Sequence, residues 1–478
     1  MAIKKEELIR EYTKAIREGT AAVFGGAGLS RASGFVNWKE LLRPLAKDIS
    51  LDIDKEEDLL AVAQFYKNKR GGTRGGINQS IMSAFTKQVE INENVAILTR
   101  LPIFTYWTTN YDPLIENGLR EANRNPDIKS ESEQLSVILP DRDAIVYKMH
   151  GDASNPAHAV LTKTDYELYE HRRPLFRTAL KGDLVSKVFL FVGFSFEDPN
   201  LDYILGQIHS LLNEDVHDHY CFFRKVQKAD YSSEEEYGYN IAKQELQVEN
   251  LQQYGIQTVF VDSYDEITDI LRHIEAASRM KNVFVSGSAA EFSAGWDQNG
   301  AEKFAGGLAA ELVKNNCRIT SGFGLGIGSA VINGALDVIY SEKYRHVDEH
   351  LCLRPFPQNI ADVTMRKMRW KKYREDILEE VGIVVFIFGN KKIKDASGKE
   401  KVVDADGCIQ EFEIAKSLNR VVIPIGSTGY ASRKIYDEIK GNISDYPYLI
   451  NFIDCLGTET DPDKLVSIVI EIVNSFAD

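Results

Sequence analysis

Apolar residues recur along the chain in two rhythms: short unbroken runs, and longer stretches where they return every three or four positions. The first rhythm predicts buried strands and the second amphipathic helices. Residues 4–18 carry Leu8, Ile9, Tyr12, Ala15 and Ile16 at helical spacing. Ala22-Val23-Phe24 then breaks into Gly25-Gly26-Ala27-Gly28, predicting a strand that ends in a glycine-rich turn. Trp38, Leu41, Leu42, Leu45 and Ala46 mark a helix. Residues 57–95 read as helical, with Leu59, Leu60, Val62, Ala63 and Phe65 along one face and a loop at 71–76. Residues 103–112 predict a strand ending on polar groups, with Asp112-Pro113 opening a helix. Val137-Ile138-Leu139 and residues 144–149 predict two more strands, and 164–169 opens a helical region. Residues 188–192 predict a buried strand, and 259–261 the last strand of this half, closed by a helix from 265 to 277.

Residues 278–282 read as a linker, after which the same rhythm restarts. Strands are predicted at 282–285, 318–320, 351–354, 383–388 and 421–425, with a second glycine-rich turn at 321–328 and a helix over 409–418. This alternation predicts an α/β fold of two Rossmann-like, mostly parallel sheets, in domains 1–277 and 282–478. Parallel sheets bind ligands at the carboxyl ends of their strands. In the first half those ends carry Gly26-Ala27-Gly28, Thr108-Thr109-Asn110, His150-Gly151 and Gly193-Phe194-Ser195.

A length of 478 residues favours more than one core, in line with that division. The net charge of −14 argues against a nucleic-acid partner, although Arg366-Lys367, Arg369 and Lys371-Lys372 form a local basic run. None of Cys221, Cys317, Cys352, Cys408 and Cys455 stands in a C-x-x-C pair, and free thiols fit a reducing cytoplasm. The charged amphipathic N-terminus lacks a signal peptide's apolar core, and the longest apolar runs are strand length, so no membrane association is expected.

GGAGLSRASG, TTNYD, KMHGD and LFVGFSFEDPNL together resemble the NAD-binding domain of the sirtuin superfamily, over roughly residues 5–277. The resemblance implies NAD as substrate, in a pocket between a Rossmann sheet and a helical insertion that includes residues 40–100. Cleavage of NAD's glycosidic bond passes through an oxocarbenium-like state and releases neutral nicotinamide. The work is therefore orientation and stabilisation of positive charge rather than acid catalysis. Gly26, Ala27, Gly28 and Ser30 would hold phosphate and ribose. Asn110 would position the nicotinamide ribose and an attacking water. His150 would be the general base, because imidazole is the side chain that titrates near neutral pH. Asp112 would support the nicotinamide side or the strand-end turn, and Gly193 and Ser195 would line the adenosine side. Other readings stand beside these. Asn110 suits a helix N-cap ahead of Pro113, for which Asp112 is better placed, and a lone histidine after an apolar strand is often structural. His217 and His219 read as surface residues of an acidic loop, and Asp198-Pro199-Asn200 as a turn or helix start. Protein-deacylating sirtuins carry a four-cysteine zinc module. The first half holds only Cys221, so no metal is expected, and hydrolysis is favoured over deacylation.

In the second half GSAAEF, SGFGLGIGS, FGN and GCIQEFEIA resemble the SLOG superfamily of nucleotide-derivative-binding domains. Gly287, Ser288, Gly324 and Gly326 would offer backbone N–H groups to phosphate. Arg369 would offer a bidentate fork, with Arg366 and Lys391 beside it. Glu411 would accept ribose hydroxyls. The stretch 366–372 also reads as a solvated charged helix face. A sirtuin-like domain followed by SLOG resembles the NAD-consuming effectors of bacterial Thoeris anti-phage defence. That resemblance implies an NAD glycohydrolase switched on by a cyclic ADP-ribose isomer. It also implies a partner Toll/interleukin-receptor-type enzyme that makes the signal, and assembly into a homo-oligomer. Two other functions remain in view. A protein deacylase would release nicotinamide only with acyl-lysine, and a non-catalytic NAD sensor or scaffold would bind NAD without turnover.

Overall fold

β1 (Ala21–Gly25) is buried at every position, which is why it appears in the sequence as an unbroken apolar run. It pairs in parallel with β2 (Thr105–Thr108) on one side, Ala22 facing Thr105. The remaining strands of this sheet are β3 (Pro126–Lys129), β4 (Ala144–Lys148), β5 (Val188–Val192), β6 (His219–Arg224) and β7 (Ile256–Val261). β5 flanks β1 on its other side, with Ala22 facing Phe189. The computed structural model describes residues 2–196, 205–206, 217–293, 295–343, 345–357, 360–394 and 398–476. Among these, the 7-stranded sheet has the order β3-β4-β2-β1-β5-β6-β7, all parallel. Chain order therefore reverses between β1 and β5, the crevice where such sheets take their ligands. The chain divides into two compact units, Met1–Glu275 and Ala276–Asp478.

Helices Trp38–Asp48, Leu59–Lys69, Gly75–Phe85 and Glu93–Arg100 lie between β1 and β2. A capping box starts the first of them: Asn37 Oδ1 accepts the Glu40 N–H at 2.8 Å, and the Glu40 carboxylate accepts the Asn37 N–H at 3.0 Å. In the second, Val62, Ala63 and Tyr66 form the buried stripe, whereas Phe65, expected on that face, is 52% exposed.

Several strand expectations are corrected. The predicted strand 103–112 ends at Thr108, and residues 109–113 form the turn before the helix Leu114–Glu121. Val137-Ile138-Leu139 is not a strand, and its side chains stay exposed. The edge position belongs to β3, a half-charged segment whose Asp127 and Lys129 lie two apart on one face and pair at 2.7 Å. β6 was also not expected. Its first residue, His219, is buried rather than on the surface, and its Nδ1 accepts the Phe189 N–H at 3.2 Å. Burial, reinforced by His217, pushes its imidazole down to about 3. His217 itself is exposed. Asp198, Pro199 and Asn200 lie outside the described residues.

The expected linker 278–282 is taken up by the end of the helix Asp265–Arg279 and the start of β8 (Asn282–Ser288). The second unit continues with β9 (Arg318–Ser321), β10 (Leu351–Leu353), β11 (Ile383–Phe388), β12 (Asn390–Lys394), β13 (Glu400–Asp404) and β14 (Val421–Pro424). Among the described residues its parallel sheet has the order β10-β9-β8-β11-β14, with β12 and β13 a separate antiparallel ribbon. Chain order here reverses between β8 and β11. Ala305, Leu308, Ala309 and Leu312 of the helix Gln298–Lys314 belong to the core of this unit.

Candidate active site

The glycine turn after β1 is built by contact with the end of β5. The Gly26 N–H donates to Val192 O and the Gly28 N–H to Gly193 O, both at 2.9 Å. A Cβ on Gly26 would stand 2.3 Å from Gly193 O. Gly193 has φ +66°, and its own Cβ would stand 2.1 Å from Leu29 N. Only glycine permits this interlock. Ala27 and Gly28 face outward from it and, with Gly193, Phe194 and Ser195, line a cleft of about 580 Å3. Trp38, Thr109 and Tyr166 line it too. That volume lies within the range of about 300–1,000 Å3 usual for small-molecule and cofactor sites. Gly26 and Ser30 are buried behind the wall.

Asn110 is held from the β1 side. Its Nδ2 donates to Gly26 O and to Ser30 Oγ, each at 2.9 Å. Its N–H donates to Thr108 Oγ1 at 3.0 Å, and the Thr108 hydroxyl donates to Gly25 O at 2.8 Å. Both amide hydrogens are committed, so Asn110 offers a ligand its Oδ1 acceptor. Asp112 is buried and accepts the Leu114 N–H at 3.0 Å, bracing the turn that leads into the helix. Burial pushes its carboxyl above the ordinary range, against the pull of Lys148.

Lys148, at the end of β4, is fully buried. Its Nζ donates to Tyr111 O at 3.1 Å and Asp112 O at 2.7 Å, and it pairs with Glu116 at 2.8 Å and with Asp152. Burial would lower its pKa, but the two carboxylates more than offset that and raise it. Burial raises Asp152 and Lys148 more than offsets it, so Asp152 ends below the ordinary carboxylate range. One ammonium thus ties the turn that carries Asn110 to the turn that follows His150.

His150 is fully buried. Its ring lies among Tyr166, Trp38 and Tyr169, with centroids 5.4, 6.3 and 6.4 Å away. Its Nε2 is 3.5 Å from Tyr166 Oη. The four strand ends expected to meet do converge, but at different depths. Ala27, Gly28, Gly193 and Ser195 line the cleft, Asn110 is half-buried, and Asp112 and His150 stand behind.

In the second unit Gly287, Ser288, Gly324, Lys391 and Glu411 line a cleft of about 200 Å3 at the carboxyl end of β8. Gly326 is not part of that lining, and Arg369 is exposed on the helix Val363–Glu380. The arginine facing the cleft is Arg374, buried on the same helix. Its Nε donates to Glu411 Oε1 at 3.2 Å, and its guanidinium stacks on Phe356 at 4.7 Å from the ring centroid. Ser286 Oγ donates to Glu411 Oε2 at 2.6 Å, so both carboxylate oxygens already have partners. Burial raises the Glu411 carboxyl against the pull of these groups. Lys391 pairs with Asp406.

Sequence reasoning missed Trp38 and Tyr166 at the first cleft and Arg374 and Trp370 at the second, whereas Thr109 belongs to a strand end that it did single out. In the sequence Trp38 and Tyr166 stand out only as members of helices. Their signal was large aromatic rings on short helical segments beside polar strand ends. Spacing does not single out Arg374, since Arg366 and Arg374 both lie four residues from Trp370 and both approach its ring.

A model of the SIR2-like domain family matches residues 105–257, and one of the Sir2- and TIR-associating SLOG family matches residues 266–476. The chain is 44% identical over 487 residues to NAD(+) hydrolase ThsA of Cytobacillus dafuensis, covering 99% of this chain and 97% of that protein. It is 45% identical over 473 residues to NAD(+) hydrolase ThsA of Acinetobacter baumannii (strain 532279), covering 98% of each chain. It is 43% identical over 483 residues to NAD(+) hydrolase ThsA of Enterococcus faecium, covering 98% of this chain and 99% of that one.

Proposed function

The chain belongs to the ThsA family of NAD(+) hydrolases, and on that footing we propose that residues 1–277 cleave NAD to nicotinamide and ADP-ribose at the ends of β1, β2, β4 and β5. The observation that carries this reading is Asn110, fixed by Gly26 O and Ser30 beside a cleft whose aromatic wall covers His150. Ala27, Gly28, Gly193 and Ser195 line the space for the dinucleotide. Asn110 Oδ1 accepts from the nicotinamide ribose or the attacking water, and its orientation is set before substrate arrives. His150 takes the water's proton as the base of the reaction. Asp112 and Lys148 hold the turn from beneath.

Residues 282–478 are proposed as the sensor. The cleft at Gly287, Ser288 and Gly324, with Arg374 stacked at its wall, suits a phosphate-bearing nucleotide, and we assign it to a cyclic ADP-ribose isomer. A Toll/interleukin-receptor-type enzyme would supply that signal, in keeping with the family description of residues 266–476. Activation would involve a homo-oligomer, and the outcome would be depletion of cellular NAD in anti-phage defence. The setting would be the cytoplasm, consistent with five free cysteines. Among the described residues no helix is long and apolar enough to cross a membrane.

The test is NAD consumption by the full-length protein across a panel of cyclic and linear ADP-ribose species, with light scattering in parallel. The expected result is nicotinamide and ADP-ribose in equal amounts, with one cyclic isomer activating and raising the particle mass. Turnover that requires an acyl-lysine peptide, or NAD binding with no turnover under any nucleotide, would overturn the reading.

A further inference from the structure

The base assigned to the reaction is fully buried, whereas the cleft proposed for the substrate and its attacking water lies on the far side of the aromatic rings that cover it. One polar side chain bridges that gap. Tyr166 lines the cleft, and its Oη stands 3.5 Å from His150 Nε2. The two rings meet edge to face, and Trp38 packs edge-on against Tyr166 with centroids 6.2 Å apart. Behind the imidazole Tyr169 is fixed by its own hydroxyl, which donates to Met149 O at 3.1 Å.

The segment that carries Tyr166 is pinned to the helical insertion. The Thr164 N–H donates to Gln64 Oε1 at 3.1 Å. Asp165 accepts Arg74 Nη1 at 2.5 Å and the Thr162 N–H at 2.9 Å. Arg74 Nη2 also donates to Ala159 O at 2.7 Å. Such anchoring on both sides is what a proton-transfer group needs, because transfer depends on a fixed donor–acceptor geometry.

We propose that Tyr166 is a further catalytic residue of the NAD hydrolysis, relaying a proton from the attacking water to His150. This rests on the hydrolase reading above. Water attacks C1′ of the nicotinamide ribose as the C1′–N1 bond breaks, and that bond's electron pair leaves with nicotinamide. The water's proton passes to Tyr166 Oη, and the phenol's own proton passes to His150 Nε2. The imidazole must therefore enter the step with its proton on Nδ1. The imidazolium then gives a proton to solvent. NAD and water become ADP-ribose, nicotinamide and a proton.

The test is nicotinamide release by full-length wild type, Tyr166→Phe, His150→Ala and the double variant, with cyclic ADP-ribose isomers added. Tyr166→Phe keeps the ring and its packing, so its melting temperature should match wild type. Its kcat should fall about 100-fold, the usual size of a general acid–base contribution, while KM stays within about twofold. The double variant should be no slower than His150→Ala alone, because the two groups act in one relay. A Tyr166→Phe enzyme with wild-type kcat beside an inactive His150→Ala enzyme would overturn the relay and leave the base assignment standing. Full turnover by His150→Ala would overturn both.

Discussion

Lys148 joins the turn after β2 to the turn after β4, and it does so in full burial between two carboxylates. Removing one partner of such a cluster leaves buried charge uncompensated, at a cost of about 3–5 kcal/mol. Lys148→Met should therefore lower the unfolding free energy by that amount in urea titrations. Adding Glu116→Gln should recover part of it, since one of the orphaned carboxylates is then neutral. A second residue-scale prediction concerns pH. His219 titrates at 6.5 as a free side chain but at about 3 in its buried strand position. Between those values the unfolded chain binds the extra proton and the folded chain does not. Its contribution to stability is thus present above the ordinary value and is lost as pH falls, by about 1.4 kcal/mol per pH unit for this one group. Urea unfolding between about pH 7 and 5 should show wild type losing stability more steeply than His219→Gln. Equal slopes would contradict a buried neutral imidazole.

At the scale of elements, the glycines separate by what surrounds them. Gly193 has φ +66° and no room for a Cβ, so Gly193→Ala should cost at least about 1–3 kcal/mol in backbone strain and disrupt the cleft wall. Gly182 sits in the helix Pro174–Ser186 with nothing within 4 Å of a Cβ, so Gly182→Ala should stabilise by about 0.5–1 kcal/mol. Thermal melts of the two variants should shift in opposite directions. The same distinction explains what was legible in the sequence. β1, β5 and β11 are central strands, buried almost throughout, so their apolar runs announce them. β3 escaped notice because an ion pair, not an apolar stripe, occupies its buried face. β6 escaped because a histidine next to acidic residues reads as surface until its neighbours are known. The polar strand ends at Asn110 and His150 were readable as motifs. Their depth was not, since it depends on Trp38 and Tyr166 from separate segments. On the helix Val363–Glu380 the sequence offers many cations, and only burial distinguishes Arg374 from Arg369.

At the scale of the whole molecule, two parallel sheets repeat one device: a glycine-bearing strand end at the point where chain order reverses. The first is read as the place where NAD is destroyed and the second as the place where the signal is received. Arg374 stacks on Phe356 and bonds Glu411 at the second site, a geometry lysine cannot reproduce. Arg374→Lys should raise the half-activating concentration of the cyclic nucleotide at least about tenfold, measured as NAD consumption against nucleotide concentration. In the proposed reaction the strand ends holding Asn110 and His150 hydrolyse NAD. Nicotinamide release by Asn110→Ala and His150→Ala, compared with wild type under the same activating nucleotide, tests it most directly. Turnover should fall about 100-fold or more in each variant, with NAD still bound. Wild-type turnover in both would contradict it.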